Sequence, residues 1–188
     1  MFSMRRHANF IKRFKSVSCL FTASILFPMQ ISAAVSDYDA LVIEARGGNS
    51  APLLRYLEDQ GKKSALTPNQ VADWLQVSSW VENNDKTTIE IWQRYRGQMD
   101  VPARGKVAAA RAYRNQKNWN DSLAVWESVL QQEPDNVDVR TGWIMTLADA
   151  RYNQQALTEA NKWAQAHPGA DSDALLAYVY HSQGKNWD

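Results

Sequence analysis

Residues that usually carry catalysis are scarce in this chain, and their positions exclude several kinds of chemistry. Of its 188 residues one is a cysteine, Cys19, and it sits in an apolar stretch near the amino terminus. Beyond that stretch no thiol exists to serve as nucleophile or to form a disulfide, so core packing must hold the fold even in an oxidising compartment. There are three histidines. The two outside the amino-terminal segment, His167 and His181, suit neither a zinc-ligand pair on one helix nor a base beside a nucleophile. His167, next to Pro168, reads most simply as a helix-terminal residue favourable to the dipole. No Gly-x-Ser-x-Gly string occurs, and Gly47-Gly48-Asn49 lacks the downstream lysine of a phosphate loop. The expectation is a protein that is not an enzyme and has no cofactor or metal.

A long hydrophobic run is missing as well. The longest apolar stretch covers residues 17–29 and is interrupted at Pro28, whereas a membrane-spanning helix needs about 20 apolar residues. Arg5, Arg6, Lys12, Arg13 and Lys15 precede it, no acidic residue lies in 1–34, and Ser32-Ala33-Ala34 supplies small residues for cleavage. This is the layout of a secretory signal, with cleavage expected after Ala34 and no membrane span in the mature chain; retention as an anchor is the alternative. Ser16-Val17-Ser18 before Cys19 makes a poor lipoprotein signal. The basic residues of this segment also mask the charge of the rest. Without them, 16 of the 21 Lys+Arg residues remain against all 20 Asp+Glu residues, a net charge of −4. Nucleic acid is therefore not an expected partner.

No stretch alternates apolar and polar residues long enough to be a convincing strand. The pattern is helical, and it repeats. In ARGKVAAARAYRNQKNWNDSLAVWESVLQQEPDN, residues 103–136, Val107, Ala110 and Tyr113 share one helical face with Ala109 beside them. Leu123, Trp126 and Val129 or Leu130 share another, and Glu133-Pro134 stops the second helix. Shifting Ser122, Trp126 and Pro134 forward by 34 residues lands on Ala156, Ala160 and Pro168, while Ala109 goes to Trp143. Shifting Ser122 and Trp126 back by 34 lands on Thr88 and Trp92; Pro68 and Pro102 are 34 apart, and Lys117-Asn118-Trp119 returns two periods later as Lys185-Asn186-Trp187. Small and aromatic residues at this period predict tetratricopeptide-like helical hairpins.

The expected fold is all-α, a right-handed stack of such hairpins. Its boundaries are a signal at 1–34, a hairpin and linker at 35–66, a divergent repeat at 67–102, repeats at 103–136 and 137–170, and a partial repeat at 171–188. Within these, residues 61–66 read as a basic linker, Thr67-Pro68-Asn69-Gln70 as a helix start that runs to about Asn83-Asn84, and residues 87–96 as its partner. Asn136 and Ser172 read as helix caps. Because the last helix lacks a partner, the chain reads as the front of something longer: a truncated gene product, a pseudogene remnant or an excised piece.

Trp92, Trp126 and Trp143 are expected in the core, and Trp119 and Trp187 at turns. Trp80 lies off the face of Val71, Trp74, Leu75 and Ser78 and is either a stacking platform or packing. In a helical stack the inner surface is lined by the first helix of each pair. The apolar face of the central repeat leaves Arg104, Arg111, Arg114 and Asn115 toward that surface, with Asp73 before them and Asp138 and Asp149 after. This is either an ordinary solvated face or a groove of mixed charge for an extended ligand or a partner's tail.

Beyond the generic repeat, the strings YDALVIEARGGN at 38–49, NQVADWLQ at 69–76, VPARG at 101–105, AYRN at 112–115 and TLADA at 146–150 resemble the periplasmic amino-terminal region of the outer-membrane exporters of poly-beta-1,6-N-acetylglucosamine, over essentially all of 35–188. The resemblance implies a periplasmic repeat domain that guides partly de-N-acetylated polymer, and docks the periplasmic deacetylase, ahead of a carboxy-terminal β-barrel in the outer membrane. Amine-bearing glucosamine units are cationic, which suits Asp73, Asp138, Asp149 and the net negative charge; Arg104, Arg111 and Arg114 would instead meet an acidic patch on the deacetylase. No strand pattern for a barrel is present, so this stretch alone is not expected to form a pore. A general periplasmic docking scaffold that never touches sugar is the alternative, and an inert, poorly folding fragment a third.

Overall fold

The structure is a computed structural model that describes residues 36–184. The expected signal at 1–34 and the Lys185-Asn186-Trp187 echo lie outside the described residues. Within them are nine α-helices and no strand: α1 (Asp37–Arg46), α2 (Ala51–Lys63), α3 (Pro68–Ser78), α4 (Asp85–Tyr95), α5 (Ala103–Asn115), α6 (Trp119–Leu130), α7 (Val137–Asp149), α8 (Asn153–Ala166) and α9 (Ala170–Ser182). Each odd-numbered helix up to α7 packs on the even-numbered one that follows it. The odd-numbered helices also pack on their successors, α3 on α5 and α7 on α9, as α4, α6 and α8 do on theirs. This is the neighbour-to-neighbour packing of a helical-hairpin solenoid.

The 34-residue period is visible as burial. Thr88, Ser122 and Ala156 are each sealed at 0% exposure, and Trp92, Trp126 and Ala160, one turn further along the same helices, lie in the core. Val129 rather than Leu130 completes the inner face of α6, and Val107 is only half-buried while Ala108, Ala109, Ala110 and Ala112 are buried. Small residues set the helix spacing. A Cβ at Gly105 would come within 2.8 Å of the Ala72 backbone, and one at Gly142 within 2.5 Å of the Trp126 ring. Trp126 fills the space left by Gly142, and its Nε1 donates to Thr146 Oγ1 at 3.1 Å.

Local signals act as the chemistry requires. Thr67 and Gln70 form a reciprocal capping box at α3, satisfying two otherwise orphaned N–H groups, and Asn136 caps α7 by accepting from Val139 N–H. Other boundaries differ from expectation. Residues Gly61 to Lys63 are the last turn of α2, not a linker, because Gly61 lies tight against Trp74 and the Tyr95 hydroxyl. Helix α3 ends at Ser78 rather than near Asn84. There Ser78 Oγ accepts from Asn84 Nδ2 at 2.7 Å and from Thr88 Oγ1 at 3.0 Å, so α4 starts at Asp85. Ser172 does not cap α9, which begins at Ala170; its hydroxyl donates to the His167 carbonyl.

The turns that join paired helices carry a repeat signal that apolar spacing does not reveal. Asn83, Lys117 and Arg151, each one period from the next, all have φ near +60° (60°, 61° and 65°). At two of them the helix ends in a Schellman closure, with Asn118 N–H donating to Tyr113 O and Tyr152 N–H to Leu147 O, both at 2.9 Å. That geometry normally favours glycine, as at Gly48, where Asn49 N–H donates to Glu44 O.

Candidate functional site

An open groove of about 650 Å³ lies along α5, α7 and α9. Helix α5 contributes Arg111, Arg114 and Asn115; α7 contributes Val137, Asp138, Thr141, Gly142 and Met145; α9 contributes Asp171, Ala174, Leu175 and Tyr178. The Trp126 ring of α6 lies directly beneath the floor, packed against Gly142 and itself sealed from solvent. A smaller cavity of about 250 Å³ shares Val137, Thr141 and Asp171 with the groove and continues to Trp163 and His167, whose rings stack at 3.7 Å. The surface alternates apolar patches with charged edges, the texture that an amphipathic saccharide ring or a peptide requires.

The eight residues singled out from sequence do not form one continuous surface. Arg111, Arg114, Asn115 and Asp138 line the groove. Asp149 stands behind them, accepting from Arg114 Nε at 2.7 Å and from the Tyr178 hydroxyl at 2.5 Å, while Arg114 Nη2 donates to the same hydroxyl at 2.8 Å. Burial and the hydrogen bond to Asp149 push the Tyr178 phenol above its ordinary range. Asp73 and Arg104 lie elsewhere, paired with each other at 3.1 Å. The Tyr38 hydroxyl donates to Asp73 at 2.8 Å, and Arg104 also donates to the Asn69 carbonyl at 3.1 Å. Burial, then the Asp73 hydrogen bond, pushes Tyr38 up strongly. Trp80 sits past the end of α3, 47% exposed and outside the groove.

This pairing changes what each charge can do. Asp73 and Asp149 are occupied by arginines and phenols, and Asn115 donates to Asp85. Arg111, Asp138 and Asp171 are exposed in the groove, and none of them forms an ion pair among the described residues. Asp171, Tyr178 and Met145 were missed by sequence reasoning. Asp171 was findable, since it falls almost one period after Asp138; Tyr178 was not, because its pairing depends on α9 docking beside α7. Among the described residues no cluster of three or more His, Asp or Glu side chains is placed to hold a metal, and no helix is long and apolar enough to cross a membrane.

Stacked hairpins with a groove on their first helices define a tetratricopeptide-like solenoid. Over 174 residues, 90% of its length, the chain is 44% identical to the poly-beta-1,6-N-acetyl-D-glucosamine export protein of Escherichia coli (strain K12), and equally so to that of Escherichia coli O157:H7. It is a relative of these export proteins that corresponds to their amino-terminal portion, spanning 21% of their length. No protein-family model and no solved structure matches it.

Proposed function

We propose that this chain is the periplasmic repeat portion of a polysaccharide exporter, delivered by its amino-terminal signal. In this reading the groove along α5, α7 and α9 takes partly de-N-acetylated poly-beta-1,6-N-acetylglucosamine on its way across the outer membrane. The observation that carries the reading is the pair of exposed carboxylates, Asp138 and Asp171, beside the apolar Met145, Leu175 and Tyr178. A glucosamine unit offers a cationic amine on an otherwise amphipathic ring, and such a surface answers both parts. Asp73 and Asp149 hold the scaffold instead of the ligand. Docking of the periplasmic deacetylase fits the unmatched Arg111, which would meet an acidic group there. That same arginine is the specific support for the alternative, a general docking scaffold of the envelope.

Calorimetric titration of the mature chain with partly de-N-acetylated oligomers at low salt tests the reading. Replacing both carboxylates, Asp138→Asn with Asp171→Asn, is expected to weaken binding about tenfold, roughly what losing one or two exposed charge contacts removes. Fully acetylated oligomers should bind less well than de-N-acetylated ones. Equal affinity for the two, or an unaffected double variant, would refute the groove as the polymer site.

A further inference from the structure

The groove continues past Asp171. The smaller cavity of about 250 Å³ shares Val137, Thr141 and Asp171 with it, so one depression runs from Arg111 to the turn between α8 and α9. Its two parts differ in character. The groove carries the carboxylates of Asp138 and Asp171. Beyond Asp171 the smaller cavity holds no further carboxylate among the described residues, and its walls include Pro168, Ala170 and the stacked rings of Trp163 and His167.

Two side chains shared by both parts are left unfinished by the fold. Val137 is a large apolar residue, 50% exposed. Thr141 is half-buried, yet its hydroxyl makes no hydrogen bond among the described residues. Three other helix threonines, Thr88, Thr146 and Thr158, turn theirs onto the carbonyl four residues earlier, at 3.2, 2.7 and 2.9 Å, the usual outlet for such a group. An exposed apolar side chain beside a free hydroxyl suits a ligand group that is part methyl and part hydrogen-bonding.

We propose that this depression reads the acetylation pattern of the polymer: the groove carboxylates hold an amine-bearing glucosamine, and the smaller cavity takes an adjoining N-acetylated unit. The inference rests on the groove reading above and adds a second specificity to it. An acetamido group is neutral and joins a carbonyl to a methyl. The Thr141 hydroxyl can donate to that carbonyl, while Val137 and Pro168 cover the methyl. A second amine is poorly served there, because the cavity's one carboxylate, Asp171, is shared with the amine already in the groove, and a desolvated charge without a partner is costly. An anionic group would face Asp171, and like charges side by side cost affinity.

The test is calorimetric titration of the full chain at low salt with three β-1,6-linked tetramers: fully de-N-acetylated, fully N-acetylated, and one in which the two kinds of unit alternate. The alternating tetramer is expected to bind about tenfold more tightly than the fully de-N-acetylated one although it carries fewer charges, since one covered methyl and one neutral hydrogen bond together supply that factor. Thr141→Val removes the hydroxyl, and Ala170→Leu fills the cavity from a different helix, so an effect common to both is not a local folding defect. Thr141→Val should cost the alternating tetramer about fivefold, and Ala170→Leu should bring it down to the fully de-N-acetylated level; neither should change binding of the fully de-N-acetylated tetramer. An alternating tetramer that binds no better than the fully de-N-acetylated one, or variants that weaken both equally, would overturn the proposal and leave Asp138 and Asp171 as an amine site. Failure of the groove reading shows differently, as a fully de-N-acetylated tetramer that does not bind or ignores Asp138→Asn with Asp171→Asn, and it takes this proposal with it.

Discussion

The same three side chains, tyrosine, aspartate and arginine, are assembled twice, and α5 takes part both times. At its amino-terminal end Arg104 reaches back to Asp73 on α3, which accepts from Tyr38 on α1. At its carboxy-terminal end Arg114 reaches forward to Asp149 on α7, which accepts from Tyr178 on α9. Each set ties three successive first helices together, in opposite chain order. The difference lies in what surrounds them. Arg104 turns its spare N–H groups onto Asn69 and closes the first set on itself as a clasp. Arg114 lies over the Tyr178 ring, 5.8 Å from its centre, and the second set stands as a partition with the groove on one side and an open cavity at the turns between paired helices on the other. One chemical solution to holding neighbouring repeats in register thus closes on itself in one place and stands between two open cavities in the other.

The partition is broken most completely from beneath. Trp126 is sealed at 0% exposure under α7, and Trp126→Ala is expected to cost about 3–5 kcal/mol. Because repeats depend on their neighbours, hydrogen exchange should rise first around Asp149 and Tyr178, while the clasp at Tyr38 keeps its protection. A uniform rise would mean that the two sets melt as one unit. Gly142→Ala, which drives a methyl into the same indole, is expected to cost about 1–3 kcal/mol in a thermal or urea melt. Next comes Asp149→Asn, which leaves Arg114, 21% exposed, without its anion; about 2 kcal/mol is expected for such a half-buried pair. Asp73→Asn should cost less, about 1 kcal/mol, since Arg104 is 37% exposed and water screens it. A reversal of that order would show the clasp to be the more important tie.

Much of this was legible in the sequence. The period of small and aromatic residues gave the helical hairpins, since Thr88, Ser122 and Ala156 can be buried only if each second helix presents the same face to its partner. Thr67-Pro68-Asn69-Gln70 carried its cap in three residues, and Asn136 carried its own. The end of α3 was not legible, because it depends on Ser78, Asn84 and Thr88 meeting across a turn. Nor were the left-handed turns: Lys117 and Arg151 are poor sequence markers for a conformation that glycine usually signals. For the acidic positions chosen from sequence, helical spacing reports which way a side chain faces and not what it meets. Asp73 and Asp149 each meet an arginine and a tyrosine from a helix two elements away, partners that no short-range pattern in the sequence announces.

The finest distinction between clasp and partition is the phenol. Tyr178→Phe removes a hydroxyl that donates to Asp149 and accepts from Arg114, and Tyr38→Phe removes one that only donates to Asp73; each is expected to cost about 1 kcal/mol at neutral pH. Alkaline pH separates them from ordinary tyrosines. Both phenols are raised above the ordinary value of 10.0, so the folded state holds its protons where the unfolded chain releases them. Below pH 10 this contribution is fully present; above it, ionisation stabilises the unfolded state and the contribution is lost as the pH climbs toward the folded values. Urea melts between pH 9 and pH 11 should therefore show stability falling with pH in the wild type, less steeply in Tyr38→Phe than in Tyr178→Phe. Burial leads the causes at both phenols, but only Tyr178 has an arginine N–H aimed at its oxygen to welcome the phenolate, so the clasp should carry the steeper share.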